Sequence, residues 1–310
     1  RQLNPTVTAL QNRITAMEDG IATAAFATGM AAIASTMLSL LRQGDHIISS
    51  AYLFGNTNSL FGTLQNLGIE VSFVDATDVH EVKAAIKENT RLIFVETIAN
   101  PVTQIADLTG IGALCKSENL IYCVDNTMTS PHLFSPKSVG ASFSVNSLTK
   151  YIGGHGNALG GAITDTGLYD WSNFANIFDD YKNQDVKLWG ITQVKKKGLR
   201  DIGASLGPEA AHHLAVGSET LSLRMERHCS NAMAVAEYLQ NHDKVEWVNF
   251  GGLESDSNHA LAKKYCGGVP ASLLTFGIKG GFDGGVRFYD ALAMIKRLVN
   301  IGDAKTLACH

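Results

Sequence analysis

Proline is scarce, with 6 in 310 residues, and charged side chains make up only 17% of the chain. That composition, with 45% hydrophobic residues, excludes collagen-like, proline-rich and disordered architectures. Paired cysteines are missing as well: Cys115, Cys123, Cys229, Cys266 and Cys309 show no CxxC and no zinc-ligand spacing. An odd, scattered set of thiols fits a reducing compartment, so the cytoplasm is the expected location and no metal is expected. Excess positive charge is absent. A net charge of −4 offers no field for nucleic acid or an anionic membrane, and the lone basic run, Lys195-Lys196-Lys197 with Arg200, is expected to be a solvated face. No basic-then-apolar leader opens the chain, whose first residues, RQLNPTVTAL, read as the continuation of a longer sequence. Also lacking are GxSxG, HExxH, GxxxxGK[ST] and a GxGxxG after the first strand, and Gly153-Gly154-His155-Gly156 has the wrong order for a dinucleotide loop.

What is present is a rhythm. Short β-rich runs at 46–50, 69–74, 92–96, 121–125, 142–147 and 158–164 alternate with helical stretches such as 79–88 and 108–118. This is the βαβ pattern of an α/β fold, a mainly parallel sheet with helices on both faces. The uncharged stretch 20–41 is long enough to suggest a membrane span, but its alanines, hydroxyls and Gly29 predict a buried helix instead. From 219 to 242 the period becomes that of a long amphipathic helix with Leu221, Met225, Ala232, Val235, Ala236 and Leu239 on one stripe. A strand over 272–278 and a helix over 286–298 complete a smaller C-terminal unit. The division expected is a large domain over 1–222 and a small one over 223–310.

In parallel sheets ligands bind beyond the carboxyl ends of the strands, which brings Glu96, Asp125 and Ser147 toward one crevice. Lys150 follows directly in Ser147-Leu148-Thr149-Lys150, where an apolar strand end and glycines favour a desolvated, nucleophilic amine. Ser147 and Thr149 carry hydroxyls suited to phosphate. Asp125 ends the apolar run LIYCVD, a costly place for a carboxylate unless a cation meets it, and a protonated pyridine nitrogen is such a cation. Gly29 and Met30 open a helix whose amides and dipole attract a phosphate, and Phe54 is an aromatic plate at a loop end. A lysine, a strand-end acid, a helix start and an aromatic plate are what pyridoxal 5'-phosphate requires. His155, His212 and His213 are expected to be structural rather than ligating.

The motifs RQLNPT (1–6), ATGMAAIAST (27–36), ETIANP (96–101), DNTMTSP (125–131), SLTKYIGGHG (147–156), TLSLRMERHC (220–229) and NIGDAKTLACH (300–310) resemble, in order, those of the pyridoxal-phosphate enzymes of cysteine and methionine metabolism. That group includes cystathionine γ-synthase, cystathionine lyases, methionine γ-lyase and O-acetylhomoserine sulfhydrylase. The resemblance implies the type I pyridoxal-phosphate-dependent transferase fold. It implies Lys150 as the lysine that tethers the cofactor, Asp125 as partner of the ring nitrogen, and Gly29, Met30, Ser147 and Thr149 as the phosphate cradle. Glu96 and Asn100 match the pocket wall, Asn300 a residue that touches the substrate carboxylate, and Arg1 an arginine reaching the phosphate of a neighbouring subunit. A homo-oligomer, a tetramer built as a dimer of dimers, is therefore implied.

Within the group, 187–208, 272–281 and 300–307 resemble the sulfhydrylase branch. The implied reaction is replacement of the γ-acetyl group of a small amino acid by sulfide or a thiol donor, yielding homocysteine or methionine. A methionine γ-lyase, a cystathionine γ-synthase or lyase, and a non-catalytic cofactor-binding relative remain as alternatives, whereas a nucleotide-binding dehydrogenase would need the missing glycine fingerprint. Phe54 stands where the family has a tyrosine, so stacking persists without the hydroxyl. A further family tyrosine is expected two residues before Arg1, and the arginine that grips the substrate carboxylate beyond His310.

Overall fold

A computed structural model describes residues 4–310. Its strands are β1 (Ala22–Phe26), β2 (His46–Ser50), β3 (Glu70–Val74), β4 (Thr90–Glu96), β5 (Ile121–Asp125), β6 (Phe143–Asn146), β7 (Gly161–Asp165), β8 (Val245–Asn249) and β9 (Thr275–Ile278). The helices are α1 (Pro5–Met17), α2 (Gly29–Leu40), α3 (Gly55–Asn66), α4 (Val79–Ala84), α5 (Leu108–Ser117), α6 (Ser130–Leu133), α7 (Trp189–Gln193), α8 (Pro208–Ser218), α9 (Leu221–Gln240), α10 (His259–Cys266) and α11 (Gly281–Asp290). Seven strands form one sheet in the order β1-β7-β6-β5-β4-β2-β3. From β6 to β3 every pairing is parallel, while β7 runs antiparallel to both β6 and β1. The mainly parallel α/β architecture is as the sequence predicts.

Successive residues of a strand point to opposite faces, and here both faces are buried, which is why the strands are apolar almost without interruption. Ile47, Phe94, Cys123 and Val145 enter one core with Ile33, Met37 and Leu40 of α2 and Phe61 and Leu64 of α3. Ile48, Ile93, Val95, Tyr122 and Val124 enter the other with Val82 of α4 and Ile111 and Leu114 of α5. By the same alternation Glu96 and Asp125 fall on the α2 face. A third core, of Leu10, Ile14, Leu148, Tyr151, Leu214, Leu221 and Met225, lies under the turn that carries Lys150.

Four local expectations need correction. The stretch 20–41 is not one helix: Ala22–Phe26 is a strand, Thr28 adopts extended backbone and caps α2, and only Gly29–Leu40 is helical. Alanine-rich sequence is neutral about this choice, and the antiparallel register Ala22↔Asp165 to Phe26↔Gly161 decides it by placing the segment against β7. On α9 the buried stripe is Leu221, Met225, Cys229, Ala232 and Ala236, whereas Val235 is 48% exposed, because the stripe follows i, i+4 and i, i+3 steps that skip it. The expected helix over 286–298 is instead α11, after which Lys296–Arg297 runs beside Leu307–Ala308 as a short parallel pair. Finally, Lys195 does not sit on a solvated face: it is half-buried in a π-helical turn over Val194–Asp201, under the field of the Asp165 carboxylate.

Candidate active site

Three parallel strands finish at the same edge. β4 ends on Glu96 and β5 on Asp125, which are register partners, and Ser147 directly follows β6. Asp125 Oδ1 accepts from the Thr127 N–H at 2.9 Å, and Thr127 Oγ1 accepts from the Ser147 N–H at 2.8 Å, so the ends of β5 and β6 are tied together. Glu96 joins two loops: Oε1 accepts from the Phe54 N–H at 2.7 Å and Oε2 from the Asn100 N–H at 3.4 Å. Burial, then the charge of Asp125, pushes the Glu96 carboxyl up to about 8, and burial raises Asp125 as well. Two adjacent buried acids cannot both ionise without a cation, and among the described residues none acts on either.

Facing these acids is the start of α2. Four amides at a helix start lack intrahelical acceptors. Thr28 takes one of them, its Oγ1 accepting from Ala31 N–H at 3.0 Å, while its carbonyl accepts the first intrahelical bond, from Ala32 N–H at 3.1 Å. Gly29 and Met30 N–H are left without a protein acceptor among the described residues, at the positive end of the helix dipole. Gly29 packs on Ser147 so closely that an added Cβ would lie 2.9 Å from Ser147 Cβ and 3.1 Å from its Oγ. Thr149 Oγ1 is engaged with the backbone of Gly160, donating to its carbonyl at 3.2 Å and accepting from its N–H at 3.1 Å.

Lys150 lies in the turn after β6, where its N–H donates to Ser147 O at 3.1 Å. Its half-buried amine donates to Asn300 Oδ1 at 2.6 Å, and burial lowers its pKa against the opposing pull of Asp303. The chain after Asn300 presses on this turn. Gly302, at φ +90°, would bring a Cβ to 2.5 Å from Tyr151 N, so both the left-handed backbone and the close approach require glycine. Beneath the turn the Arg224 guanidinium donates to Tyr151 O at 2.5 Å, Ile152 O at 3.2 Å, Gly217 O at 2.7 Å and Thr220 Oγ1 at 3.0 Å. Arg224 thereby fixes the loop that carries the lysine.

Of the residues singled out in the sequence, Glu96, Asp125, Ser147, Gly29, Met30, Phe54 and Asn100 form one connected wall, and Lys150 joins it through the 147–150 turn. Phe54 caps α3 and is 37% exposed. Asn300 meets the Lys150 amine. Arg1 lies outside the described residues. His212 and His213 stand exposed on α8, whereas His155 Nδ1 is 2.7 Å from Gly153 O. Among the described residues no group of side chains is arranged to hold a metal ion. Thr28, Thr127, Arg224 and Asp303 belong to the site but went unremarked as individuals. Thr28 could have been found as a capping hydroxyl before Gly29, whereas Arg224 offers no local signal, because its acceptors are brought to it by tertiary packing.

Comparison with known proteins gives a consistent answer. The model of the Cys/Met metabolism PLP-dependent enzyme family matches residues 1–310. The chain is 40% identical to an O-acetyl-L-homoserine sulfhydrylase of Leptospira meyeri, over 100% of this chain and 75% of that protein, and 39% identical to an L-methionine gamma-lyase of Fusobacterium nucleatum, over 99% and 73%. A Campylobacter jejuni structure, provisionally assigned as an O-acetylhomoserine (thiol)-lyase and carrying a pyridoxyl-lysine monophosphate, superposes with a TM-score of 0.94 at 33% identity, covering 99% of this chain and 79% of its own. The O-acetylhomoserine sulfhydrylase of Wolinella succinogenes superposes with a TM-score of 0.90 at 37% identity, over 97% and 85%. With a family model spanning the whole chain and a relative 40% identical along all of it, the chain belongs to the pyridoxal-phosphate-dependent enzymes of cysteine and methionine metabolism.

Proposed function

We propose that this enzyme is an O-acetyl-L-homoserine sulfhydrylase, replacing the γ-acetyl group with sulfide or a thiol to give homocysteine or methionine. The observation that carries the cofactor side of this reading is the pair of buried acids, Glu96 and Asp125, set against the unclaimed amides of Gly29 and Met30. One edge thus lacks a cation and the other lacks an anion, which is what a ring nitrogen and a phosphate on one small molecule would supply. Pyridoxal 5'-phosphate fits these residues: Asp125 would hold the ring nitrogen, Phe54 the ring face, Lys150 the aldehyde carbon, and Gly29, Met30 and Ser147 the phosphate, with Thr149 joining if it leaves Gly160. The family resemblance would add Arg1 of a neighbouring subunit to this cradle. When bound, the cofactor supplies an aldehyde that exchanges amines and a ring that accepts the electrons of a deprotonated carbon. Lys150 Nζ, its pKa lowered by burial, takes and returns the substrate proton. Asp125 retains the charge opposite the ring nitrogen, and Glu96 holds the Phe54 and Asn100 loops together as the pocket wall. Phe54 lacks a hydroxyl and passes no proton. Asn300, assigned to substrate binding, orients Nζ from 2.6 Å.

For the reaction itself, the support is identity to sulfhydrylases along the full chain. Incubating the protein with pyridoxal phosphate, O-acetylhomoserine and sulfide should yield homocysteine. Lys150→Ala should reduce turnover to background with an unchanged far-ultraviolet spectrum, and appreciable steady-state activity in that variant would overturn the assignment. Release of a 2-oxo acid from methionine without sulfide consumption would make the enzyme a γ-lyase instead. We further propose a homotetramer acting in the cytoplasm, with a large domain over 1–222 and a small one over 223–310. Light scattering would measure the oligomeric state. Among the described residues no helix is long and apolar enough to cross a membrane.

A further inference from the structure

Behind the site, on the opposite side of β5 and β6, lies a buried acid that the chemistry above does not use. Glu18 follows α1 and is fully buried. Its Oε1 accepts from Asn126 Nδ2 at 3.1 Å and from Asn146 Nδ2 at 2.5 Å. Asn126 directly follows Asp125, and Asn146 directly precedes Ser147. The alternation of strand side chains therefore puts Glu18 at the back of the two residues proposed to hold the cofactor's ring nitrogen and phosphate. Asn126 extends the cluster, accepting from Thr129 Oγ1 at 2.5 Å and donating to Phe134 O at 3.0 Å, and Thr129 meets Thr97 Oγ1 at 2.9 Å. All of these side chains are buried.

Two atoms of the cluster are left over. Glu18 Oε2 and Asn146 Oδ1 are both buried and neither has a partner. Both are acceptors if the carboxyl is ionised, and an unsatisfied buried acceptor is costly. A single proton on the carboxyl satisfies both, because a carboxylic acid and a carboxamide pair through two bonds, N–H···O and O–H···O. Turning the Asn146 amide over exchanges its oxygen and nitrogen but leaves the same need.

We infer that Glu18 is a neutral acid paired through two hydrogen bonds with Asn146, and that this proton is a positioning element holding the ends of β5 and β6 in register for the cofactor. Burial pushes the Glu18 carboxyl up to about 7, opposed only by the neutral side chains of Asn126, Asn146 and Ser144. Asp19, the next residue, is paired with Lys137 at 2.9 Å, and Asp125 stands on the other face of β5. Among the described residues neither they nor any other charged group acts on Glu18. The positioning role rests on the pyridoxal-phosphate reading; the neutral acid does not.

Glu18→Gln tests both parts, since an amide supplies the same donor and acceptor without a titratable proton. In cofactor-free protein at pH 6, the infrared carbonyl band of a neutral carboxylic acid should weaken in the Gln variant relative to wild type. No difference, or a Gln variant that does not fold, would overturn the inference. The affinity for pyridoxal phosphate, followed by its visible absorbance, should match in the two proteins at pH 6. If binding selects the neutral form, wild type should be roughly thirtyfold weaker than the Gln variant at pH 8.5, the ratio growing tenfold per pH unit above about 7. A ratio that does not change with pH would overturn the positioning role. Failure of wild type to bind the cofactor at any pH would instead sink the functional reading, with the infrared comparison still deciding the state of Glu18.

Discussion

Replacing Glu96 by Gln should change the stability of the cofactor-free protein with a sign that depends on pH, stabilising it above neutrality. The Glu96 carboxyl is raised from 4.5 to about 8, first by burial and then by Asp125. Between these limits the native state keeps a proton that the unfolded chain has released. Proton-linked stability is therefore complete below about pH 4.5 and is lost as pH rises through about 8, at about 1.4 kcal/mol per pH unit. The whole span corresponds to about 5 kcal/mol. Gln carries no such linkage. It can still accept from the Phe54 N–H, but its NH₂ then faces the Asn100 N–H, a loss of about 1 kcal/mol. Urea denaturation of the cofactor-free proteins should show Glu96→Gln about 1 kcal/mol less stable than wild type near pH 4.5 and about 4 kcal/mol more stable above pH 8, with the curves crossing between. A difference that stays constant from pH 5 to pH 9 would refute the claim that two uncompensated acids share this edge.

Two further outcomes follow from the packing. Gly29→Ala forces a Cβ to within 2.9 Å of Ser147 Cβ, and relieving such overpacking costs about 1–3 kcal/mol. Moving the α2 start should weaken pyridoxal-phosphate binding about tenfold, as measured by absorbance titration, and an unchanged affinity would remove these amides from the phosphate site. Arg224→Met keeps the aliphatic stem but removes the guanidinium donors to the carbonyls of Tyr151, Ile152 and Gly217, the last of which keeps only Thr220 Oγ1 at 3.4 Å, a destabilisation of about 2–4 kcal/mol. The thermal midpoint should fall by several degrees, and a midpoint equal to wild type would show that the lysine loop is held by other means.

Much of the site was legible because its parts are local. A strand end, a helix start at Gly29 and Met30, and a lysine in a glycine-bounded turn each leave a signature within a few residues. β2 and β5 fall on the runs that the apolar pattern marks out, since strands buried on both faces must be apolar throughout. β1 was hidden because five residues of alanine, threonine and phenylalanine suit a helix as well as a strand, and only pairing with β7 chooses. Val235 was misplaced on α9 for a similar reason: an apolar residue at the margin of a stripe is buried only if a neighbour happens to cover it.

Sequence alone determined the α/β class, the strand edge where chemistry gathers and the chemical types of most groups there, because each depends on periodicity or on what a residue can do within its own turn. Tertiary structure decided what those groups face. Glu96 and Asp125 become a strained pair only when β4 and β5 lie side by side. Asn300 reaches Lys150 across 150 residues of chain, and Glu18 is pushed toward its neutral form by burial beneath the ends of β5 and β6, against the opposing hydrogen bonds of Asn126 and Asn146. Burial and charge proximity are properties of the assembled fold, and they set the protonation states from which the chemistry follows.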